Sequence, residues 1–453
     1  MLNTNSEYLR PEIMDILRAF GCEEEDFNHY FSSASGKYLN VIEYGGEFYD
    51  FEEDCEEEDE LIFKRLAKRS CKLAFYKVLS KTKNIHLPWG ALTGIRPTKM
   101  AYNELAAGRD FKPLFERLCV IAPNISLIER ILTVQKPFYN KCGQDLYISL
   151  PFCPTKCEYC SFITAPIEKT RAYVEKYINC LVSEIASVKP FLKNLRSVYV
   201  GGGTPFVLSV EQLTPIYAAI KDVLSGKVEY TVEAGRPDVF SEDKLKLSKD
   251  FGVTRICVNP QSFNDKTLEA IGRKHTAMQT IKAYEMAKKY GFDINIDLIA
   301  GLAEETVSDF EKSLDTAISL NPENITVHTL SLKAGAKLKE NVKRLNIAGI
   351  ADMIAISREK LTKAGYEPYY LYRQKYQAGG LENVGWTKPN KACVYNIDTM
   401  EEISDNVAVG ANAISKRFYG EEERIERYAS PKDIPTYIEK VDKIIEERDT
   451  LFK

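Results

Sequence analysis

The chain has 453 residues and a formal net charge of −4, which is enough length for two or three domains with sizeable cores. This small negative charge gives no general attraction to nucleic acid or to an anionic membrane, so no nucleic-acid partner is expected. No apolar run approaches the ~20 residues that span a bilayer, and the first residues lack the basic start and apolar stretch of a signal peptide. Eleven cysteines spread along the chain do not indicate a disulfide framework. The sequence therefore predicts a cytoplasmic protein with reduced thiols.

Residues 1–143 are predicted to form a separate α+β extension, and the sequence indicates no chemistry for it. A basic segment over residues 64–79 has a loose helical pattern of apolar positions. The segment 88–97 follows, where two prolines and two glycines interrupt regular structure.

From residue 144 onward, short β-rich runs alternate with helical segments. The predicted strands are 146–150, 197–200, 228–232, 255–259, 292–299 and 324–329. The predicted helices lie near 168–188, 210–224, 241–250, 276–290 and 306–320. Successive β-α units predict an α/β fold with parallel strands and helices outside, as a partial (β/α)6 barrel over 144–345 followed by an α+β domain over 346–453. Chemistry is then expected at the carboxyl ends of the strands.

Three cysteines, Cys153, Cys157 and Cys160, follow the first predicted strand. Three thiolates on one loop can bind three irons of a [4Fe–4S] cluster, which usually takes four cysteines, so one iron is left open to another ligand. A structural zinc site needs four ligands, and no second pair of cysteines or histidines follows. The iron–sulfur cluster is the favoured interpretation, with zinc and ordinary buried thiols as the alternatives.

The ends of the later strands carry further candidate ligand-binding positions. In chain order these are Gly202, Gly203, Thr204, Glu233, Gln261, Arg273 and Asp297. Glycines let a backbone approach a ligand closely, and the planar guanidinium of Arg273 suits a carboxylate. The alternatives are a tight turn at the glycines and a surface charge at Glu233.

Together these segments resemble the oxygen-independent coproporphyrinogen III oxidase family of radical S-adenosylmethionine (SAM) enzymes, and most closely its HemZ-type branch. The resemblance covers roughly residues 145–420, and the segment 92–97 is similar to the HemZ-type N-terminal extension. The motifs that carry it are Tyr147 with Pro151-Phe-Cys153, Cys157-Glu-Tyr-Cys160, Gly201-Gly-Gly-Thr-Pro205, Asn259-Pro-Gln-Ser-Phe263 and Ile296-Asp-Leu-Ile-Ala-Gly-Leu302.

The resemblance implies a [4Fe–4S] cluster on the three cysteines and one or two SAM molecules. Positions implied to contact SAM are Tyr147, Tyr159, Gly202, Gly203, Thr204, Glu233, Gln261, Arg273 and Asp297, with a second SAM site at Ser331 and Ile414. It further implies a reduced electron donor such as flavodoxin or ferredoxin. The implied reaction is hydrogen abstraction from two propionates of coproporphyrinogen III, each with loss of CO2 and an electron, giving protoporphyrinogen IX.

A substrate with four propionates calls for cations and flat aromatic walls. The segment 366–376 has five tyrosines together with Arg373 and Lys375, so Arg373 is a candidate for gripping a carboxylate. The alternative is an exposed strand whose tyrosines pack on a helix.

Two departures from the family pattern lie beside the cysteines. Ser149 occupies a position where characterised members carry a histidine, and Ser161 and Phe162 follow Cys160 where those members have a further cysteine. Two alternatives therefore stay open: a haem-binding chaperone on the same scaffold, and a radical SAM enzyme acting differently on haem or another tetrapyrrole.

Overall fold

The structure is a computed structural model that describes residues 1–34, 36–55, 59–93, 96–139, 142–162, 164–331, 349–374, 380–420 and 424–453. It contains two compact units. The first comprises 1–129 with 372–382, and the second comprises 130–371 with 383–453. Within the described ranges, no helix combines the length and the apolar character needed to cross a bilayer.

The first unit is built on a four-stranded sheet. Its strands, in sheet order, are β1 (Leu2–Thr4), β2 (Phe27–Ala34), β3 (Lys37–Tyr44) and β4 (Glu47–Asp54). β1 is parallel to β2, whereas β2–β3 and β3–β4 are antiparallel pairs.

Helices α1 to α5 accompany this sheet in the chain. They are α1 (Arg10–Phe20), α2 (Glu60–Lys83), α3 (Pro97–Ala106), α4 (Lys112–Arg117) and α5 (Ala122–Gln135), whose last residues belong to the second unit. The side chain of Asp59 caps α2 by accepting from the backbone N–H groups of Leu61 and Ile62, and Asn84 ends the helix in a left-handed conformation. The helix predicted over 64–79 is therefore confirmed, and the caps extend it at both ends.

The second unit is built on an eleven-stranded sheet. Its strands, in chain order, are β5 (Gln144–Leu150), β8 (Leu195–Gly202), β9 (Glu229–Gly235), β10 (Arg255–Gln261), β11 (Asp293–Ala300), β12 (Asn324–Thr329), β13 (Glu367–Tyr372), β14 (Asn383–Thr387), β15 (Asp405–Val409), β16 (Ile414–Tyr419) and β17 (Arg424–Ala429). A separate two-stranded sheet pairs β6 (Phe152–Cys153) with β7 (Ala165–Pro166).

The strands from β5 to β12 are parallel neighbours in the order β5-β8-β9-β10-β11-β12. This confirms the predicted α/β fold with six parallel strands. β15 extends the series as a further strand parallel to β5, and β14 pairs antiparallel with β12. The C-terminal segment thus adds strands to both edges of the parallel series. The domain limits at 143 and 345 stay a prediction.

The five helical segments predicted for the second unit are confirmed to within a few residues, although 168–188 forms two helices, and four further helices were not predicted. The described residues of this unit form ten α-helices. They are α6 (Ile167–Thr170), α7 (Val174–Ser187), α8 (Val210–Val223), α9 (Glu242–Asp250), α10 (Asp265–Ala270), α11 (Ala277–Lys289), α12 (Val307–Leu320), α13 (Ile350–Lys363), α14 (Val394–Glu401) and α15 (Ile434–Phe452). In α12 the buried residues include Phe310, Leu314 and Ala317, which recur at helical spacing. Thr306 and Asp309 form a capping box at its start. An apolar stripe and a local cap thus fix where this helix lies.

Candidate active site

The cysteine loop begins at the carboxyl end of β5. Cys157 is buried, whereas Cys153 and Cys160 are half-buried. The hydroxyl of Thr204, after β8, donates to Cys153 Sγ at 3.7 Å. Burial raises the pKa of both Cys153 and Cys160, so these thiols keep their protons until a metal displaces them.

Tyr159 and Arg273 lie together on one side of this loop. The Tyr159 ring packs against a buried apolar cluster of Leu268, Ile271, Ile299, Leu302, Ala303 and Leu330. The backbone N–H of Glu158 donates to the carbonyl of Ile271 at 3.1 Å, which ties the loop to the segment that carries Arg273. Arg273 is 8% exposed, and one of its terminal nitrogens donates to the carbonyl oxygens of Asn259 and Pro260. Hydrogen bonds and charge from Cys157 and Tyr159 outweigh burial and raise the pKa of Arg273, so the guanidinium is a fixed positive charge.

The glycine loop at the end of β8 is packed too tightly for side chains. A Cβ at Gly203 would lie 2.7 Å from the Leu150 carbonyl oxygen and would also meet the Phe152 carbonyl oxygen. The Gly203 and Thr204 N–H groups donate to these two carbonyls at 2.8 and 2.7 Å. Gly202 has a φ of +99°, in the region that glycine alone adopts readily. These contacts show a tight turn packed against the start of the cysteine loop, and close approach of the glycines to a ligand stays a prediction.

Glu233 in β9 and Asp297 in β11 are near enough for their charges to interact. Burial raises the pKa of Glu233 to about 7, the negative charge of Asp297 adds to this, and a 2.5 Å hydrogen bond from the Tyr199 hydroxyl opposes it. Asp297 accepts from the Asn295 amide at 2.7 Å and lies 3.8 Å from His328 Nε2. The parallel strands therefore bring two interacting carboxyl groups and an imidazole into one neighbourhood.

Three tyrosine rings stack beside this carboxyl pair. The ring centroids of Tyr147 and Tyr199 are 6.3 Å apart, and those of Tyr199 and Tyr395 are 4.4 Å apart. Tyr147 was a predicted contact, whereas Tyr199 and Tyr395 were not, because single tyrosines in a strand and a helix give no sequence signal. The stack fills space among the parallel strands with aromatic surface.

Gln261 ends β10 with a strained backbone. Its φ of +71° is unusual for a residue with a side chain, and such strain persists only where the surroundings enforce it. Its Oε1 atom is buried without a hydrogen-bond partner among the described residues, as are Arg273 Nε and Ser331 Oγ. Three predicted contact residues thus carry buried polar atoms that a ligand would satisfy.

Glu305 supports the turn next to Gln261. The hydroxyl of Ser262 donates to its carboxylate at 2.6 Å, and burial raises the pKa of Glu305 to about 7 from an ordinary 4.5. Because the folded-state pKa is raised, this carboxyl stabilises the fold most at a pH below 4.5, and the contribution is lost as the pH rises through about 7.

We expect Glu305→Gln to change this pH dependence. Relative to the wild type, the variant should gain the equivalent of about 3 kcal/mol in stability between about pH 5 and about pH 8, because the neutral amide has no charge to bury. Thermal midpoints measured across that range check this. Glu304→Gln, at the exposed neighbouring position, is the control. Parallel pH profiles for wild type and Glu305→Gln would contradict the assignment.

Ser331 and Ile414 lie at opposite ends of the parallel series. Ser331 follows β12, and Ile414 begins β16 with 46% of its surface exposed. The second SAM site therefore stays a prediction.

Ser149, where the family pattern has histidine, is 3% exposed and donates to the Ala411 carbonyl at 2.7 Å. A Cβ at Gly202 would lie 3.0 Å from its Oγ, so this position is packed around a small side chain.

Arg373 belongs to the first unit, where it has structural partners. It is 9% exposed, its terminal nitrogens donate to the carbonyls of Leu92 and Gly380, and it lies 5.3 Å over the Trp89 ring. These contacts give Arg373 a structural role within the first unit, and a substrate contact at Arg373 stays a prediction. Lys375 lies outside the described residues. Of the nearby tyrosines, Tyr366, Tyr369 and Tyr370 are buried, so they do not form an exposed strand face.

Sequence reasoning also passed over Arg236 and His275, although both lie in motifs that carried other predictions. Arg236 is 2% exposed and follows Glu233 by three positions. His275 is 4% exposed, and neither ring nitrogen has a hydrogen-bond partner in the described part of the chain. Burial, helped by the charges of Arg273 and Arg236, lowers its pKa to about 3, so the imidazole is neutral. The feature that singles out Arg236 and His275 is the burial of a polar side chain, and burial can be seen only in the three-dimensional structure.

Within the described ranges, no group of three or more His, Cys, Asp or Glu side chains is arranged to hold a metal ion. The three cysteines nevertheless lie on one loop at the mouth of the parallel strands. In an iron–sulfur cluster each thiolate binds a different iron, so the sulfurs need not converge on one point.

Comparison with known proteins defines the class. Residues 147–317 match the Radical SAM superfamily, a family that implies a [4Fe–4S] cluster and SAM. The structure of HemN, the coproporphyrinogen III oxidase of Escherichia coli described as a radical SAM enzyme, superposes with a TM-score of 0.54 over 69% of this chain and 72% of HemN, at 21% identity. At that identity the likeness concerns the fold alone.

Two curated relatives place the chain more closely. The oxygen-independent coproporphyrinogen-III oxidase-like protein HemZ of Bacillus subtilis is 35% identical over 409 residues, which are 84% of this chain and 80% of HemZ. The chain belongs to this HemZ family of radical SAM proteins. The heme chaperone HemW of the same organism is 38% identical over 193 residues, or 41% of this chain and 50% of HemW. The chain thus spans about half the length of that chaperone.

Proposed function

We propose that this protein is an oxygen-independent, SAM-dependent coproporphyrinogen III oxidase that forms protoporphyrinogen IX. The observation that carries the proposal is the placement of the three-cysteine loop beside Arg273. The buried Nε of Arg273 has no partner among the described residues, and neither has the buried Oε1 of Gln261 at the end of β10. Identity of 35% with a coproporphyrinogen-III oxidase-like protein over most of both chains supports the substrate class.

In this proposal the residues of the site have separate binding roles. Cys153, Cys157 and Cys160 hold the cluster. Arg273 binds the SAM carboxylate through its free Nε, which matches the preference of a guanidinium for planar anions. The Gln261 amide accepts a hydrogen bond from SAM through its unpartnered Oε1. Arg273 and Gln261 would thus each bind SAM through an atom that has no partner among the described residues.

The carboxyl groups and the glycine loop complete the SAM site. Asp297 and Glu233 bind hydroxyl and amino groups, since carboxylates accept hydrogen bonds readily. Gly202 and Gly203 bring the backbone against the ligand, together with Thr204 and the ring of Tyr147. The stacked tyrosine rings place apolar surface beside the two carboxyl groups, and in this proposal that surface keeps water away from reactive intermediates.

When bound, the cluster and SAM supply a radical that removes a hydrogen atom from the substrate, after a reduced donor such as flavodoxin or ferredoxin has delivered an electron. The protein's task is then geometric, because the reacting carbon must be held in near contact with the target hydrogen. The substrate of the proposal is a tetrapyrrole, two of whose four propionates each lose a hydrogen atom, CO2 and one electron and become vinyl groups.

An anaerobic turnover assay tests the proposal. The reconstituted protein is mixed with SAM, a reductant and coproporphyrinogen III, and products are identified by mass spectrometry. Loss of two CO2 per porphyrinogen together with 5′-deoxyadenosine is the expected result. Formation of 5′-deoxyadenosine with unchanged porphyrinogen would contradict this substrate and direct the search to haem or another tetrapyrrole.

A haem chaperone is the second candidate, favoured by the 38% identity with HemW over 193 residues. It predicts stoichiometric haem uptake and no release of CO2. Haem titration of the reconstituted protein, followed by its absorption spectrum, therefore separates the two candidates. Tight haem binding with no porphyrinogen-dependent SAM cleavage would favour the chaperone.

A further inference from the structure

Arg236 lies in the turn that follows β9, and its side chain reaches the cysteine loop. One terminal nitrogen donates to Thr155 Oγ1 at 2.5 Å. Thr155 is the middle residue between Cys153 and Cys157, so the bond meets the loop between two of its predicted cluster ligands. With 2% of the residue exposed, water competes little for this contact.

Asp238 presets the orientation of the guanidinium. The Arg236 Nε and its second terminal nitrogen donate to the two carboxylate oxygens of Asp238 at 2.9 and 2.7 Å. Burial acts to raise the pKa of Asp238, but the hydrogen bonds and charge of Arg236 outweigh it and hold this pKa below its usual value. A two-point pair of this kind fixes the plane of an arginine, so the remaining terminal nitrogen is directed at Thr155.

Gly235, the residue before Arg236, packs closely against Thr204. Gly235 has a φ of +81°, and a Cβ there would lie 3.1 Å from Thr204 Cγ2. Thr204 in turn donates to Cys153 Sγ. Gly235, the last residue of β9, thus lies against Thr204, which bonds to Cys153. The next residue, Arg236, bonds to Thr155 between Cys153 and Cys157.

We propose that Arg236 is a positioning residue that holds the Cys153–Cys157 segment, through Thr155, in the conformation that retains the [4Fe–4S] cluster. The inference rests on the cluster site of the proposed function and adds a residue that binds neither iron nor SAM. In this proposal Arg236 acts by fixing the position of Thr155 and not by its charge, since that charge is paired with Asp238. The hydrogen bond to Thr155 is therefore the part that the cluster depends on.

Iron release to a chelator, measured under anaerobic conditions on the reconstituted full chain, tests this inference without turnover. A hydrogen bond to a charged group predicts ~10-fold faster release for both Arg236→Gln and Thr155→Val. The double variant should release iron no faster than Arg236→Gln, because that single variant already lacks the hydrogen bond to Thr155. Arg236→Lys keeps the charge but loses the planar fork, and it should behave like Arg236→Gln.

Arg171→Gln is the matched control, because Arg171 is 76% exposed and paired with Glu168 outside the loop. Release from Thr155→Val at the wild-type rate would overturn the inference, as would effects that multiply in the double variant. If Arg236→Gln fails to fold, Thr155→Val carries the test, since it leaves the Arg236–Asp238 pair in place. A wild-type chain that takes up no iron–sulfur cluster would contradict the proposed function itself, whereas equal retention by wild type and variants would contradict only the role of Arg236.

Discussion

Replacement of Cys157 by alanine should abolish the visible iron–sulfur absorbance and all SAM cleavage. Cys157 is the buried member of the three cysteines and lies beside Arg273 and Tyr159, so alanine removes a thiolate that no neighbouring side chain replaces. With two thiolates left, a cluster that ordinarily takes three or four protein ligands is not retained. Cys153→Ala and Cys160→Ala should have the same effect. Iron content, absorbance and 5′-deoxyadenosine formation after anaerobic reconstitution measure it.

The control is Cys142→Ala, which removes an exposed thiol outside the loop. It should retain the iron content and the activity of the wild type. Full activity in any one of the three loop variants would show that the ligand assignment is wrong. A loss of cluster in Cys142→Ala as well would indicate that reconstitution, and not ligation, limits the experiment.

The second large effect is expected from Gly203→Ala. The added methyl group would lie 2.7 Å from the Leu150 carbonyl oxygen, and it would also meet the Phe152 carbonyl, so the backbone has to move. These are the carbonyls that accept from the Gly203 and Thr204 N–H groups. Overpacking of this kind destabilises a protein by ~1–3 kcal/mol. Here the backbone can relieve the overlap only by moving the glycine loop away from the cysteine loop. We expect SAM cleavage to fall at least ~10-fold, the rate equivalent of 1.4 kcal/mol.

Gly420→Ala provides the comparison. Gly420 has no positive φ, and a Cβ there would make only an ordinary 3.5 Å contact with Phe418. The affinity for SAM, measured by calorimetry on the reconstituted protein, should be lower in Gly203→Ala and unchanged in Gly420→Ala. Wild-type affinity and cleavage in Gly203→Ala would show that the loop has room that its packing does not indicate.

The strands and helices of the second unit are largely a local property of the sequence. The predicted strand 324–329 coincides with β12, and the predicted helix 306–320 differs from α12 by one residue at its start. Apolar runs, a Thr306 capping box and the left-handed Asn321 are readable in the chain because they depend on neighbours within a few residues. The parallel order follows because each strand is separated from the next by a helix.

The substrate side was much less predictable. Arg373 was a candidate for binding a carboxylate, and this stays a prediction. Its terminal nitrogens bond to backbone carbonyls seven and 281 residues away along the chain. Composition identifies a cation and several tyrosines. It does not reveal which of these side chains are buried and hydrogen-bonded within the protein and which are open to a substrate. The buried tyrosines of β13 show the same limit.

The sequence by itself determined the class of chemistry, because the cysteine spacing, the glycine loop and the strand-end side chains are each local patterns that parallel strands bring to one edge. Only the tertiary structure decided how these parts support one another. The hydrogen bond from Arg236 to Thr155 joins residues 81 positions apart, and that from Tyr199 to Glu233 joins residues 34 apart. Such contacts depend on the register and packing of separate strands, and those follow from burial across the whole unit and not from any short stretch of chain.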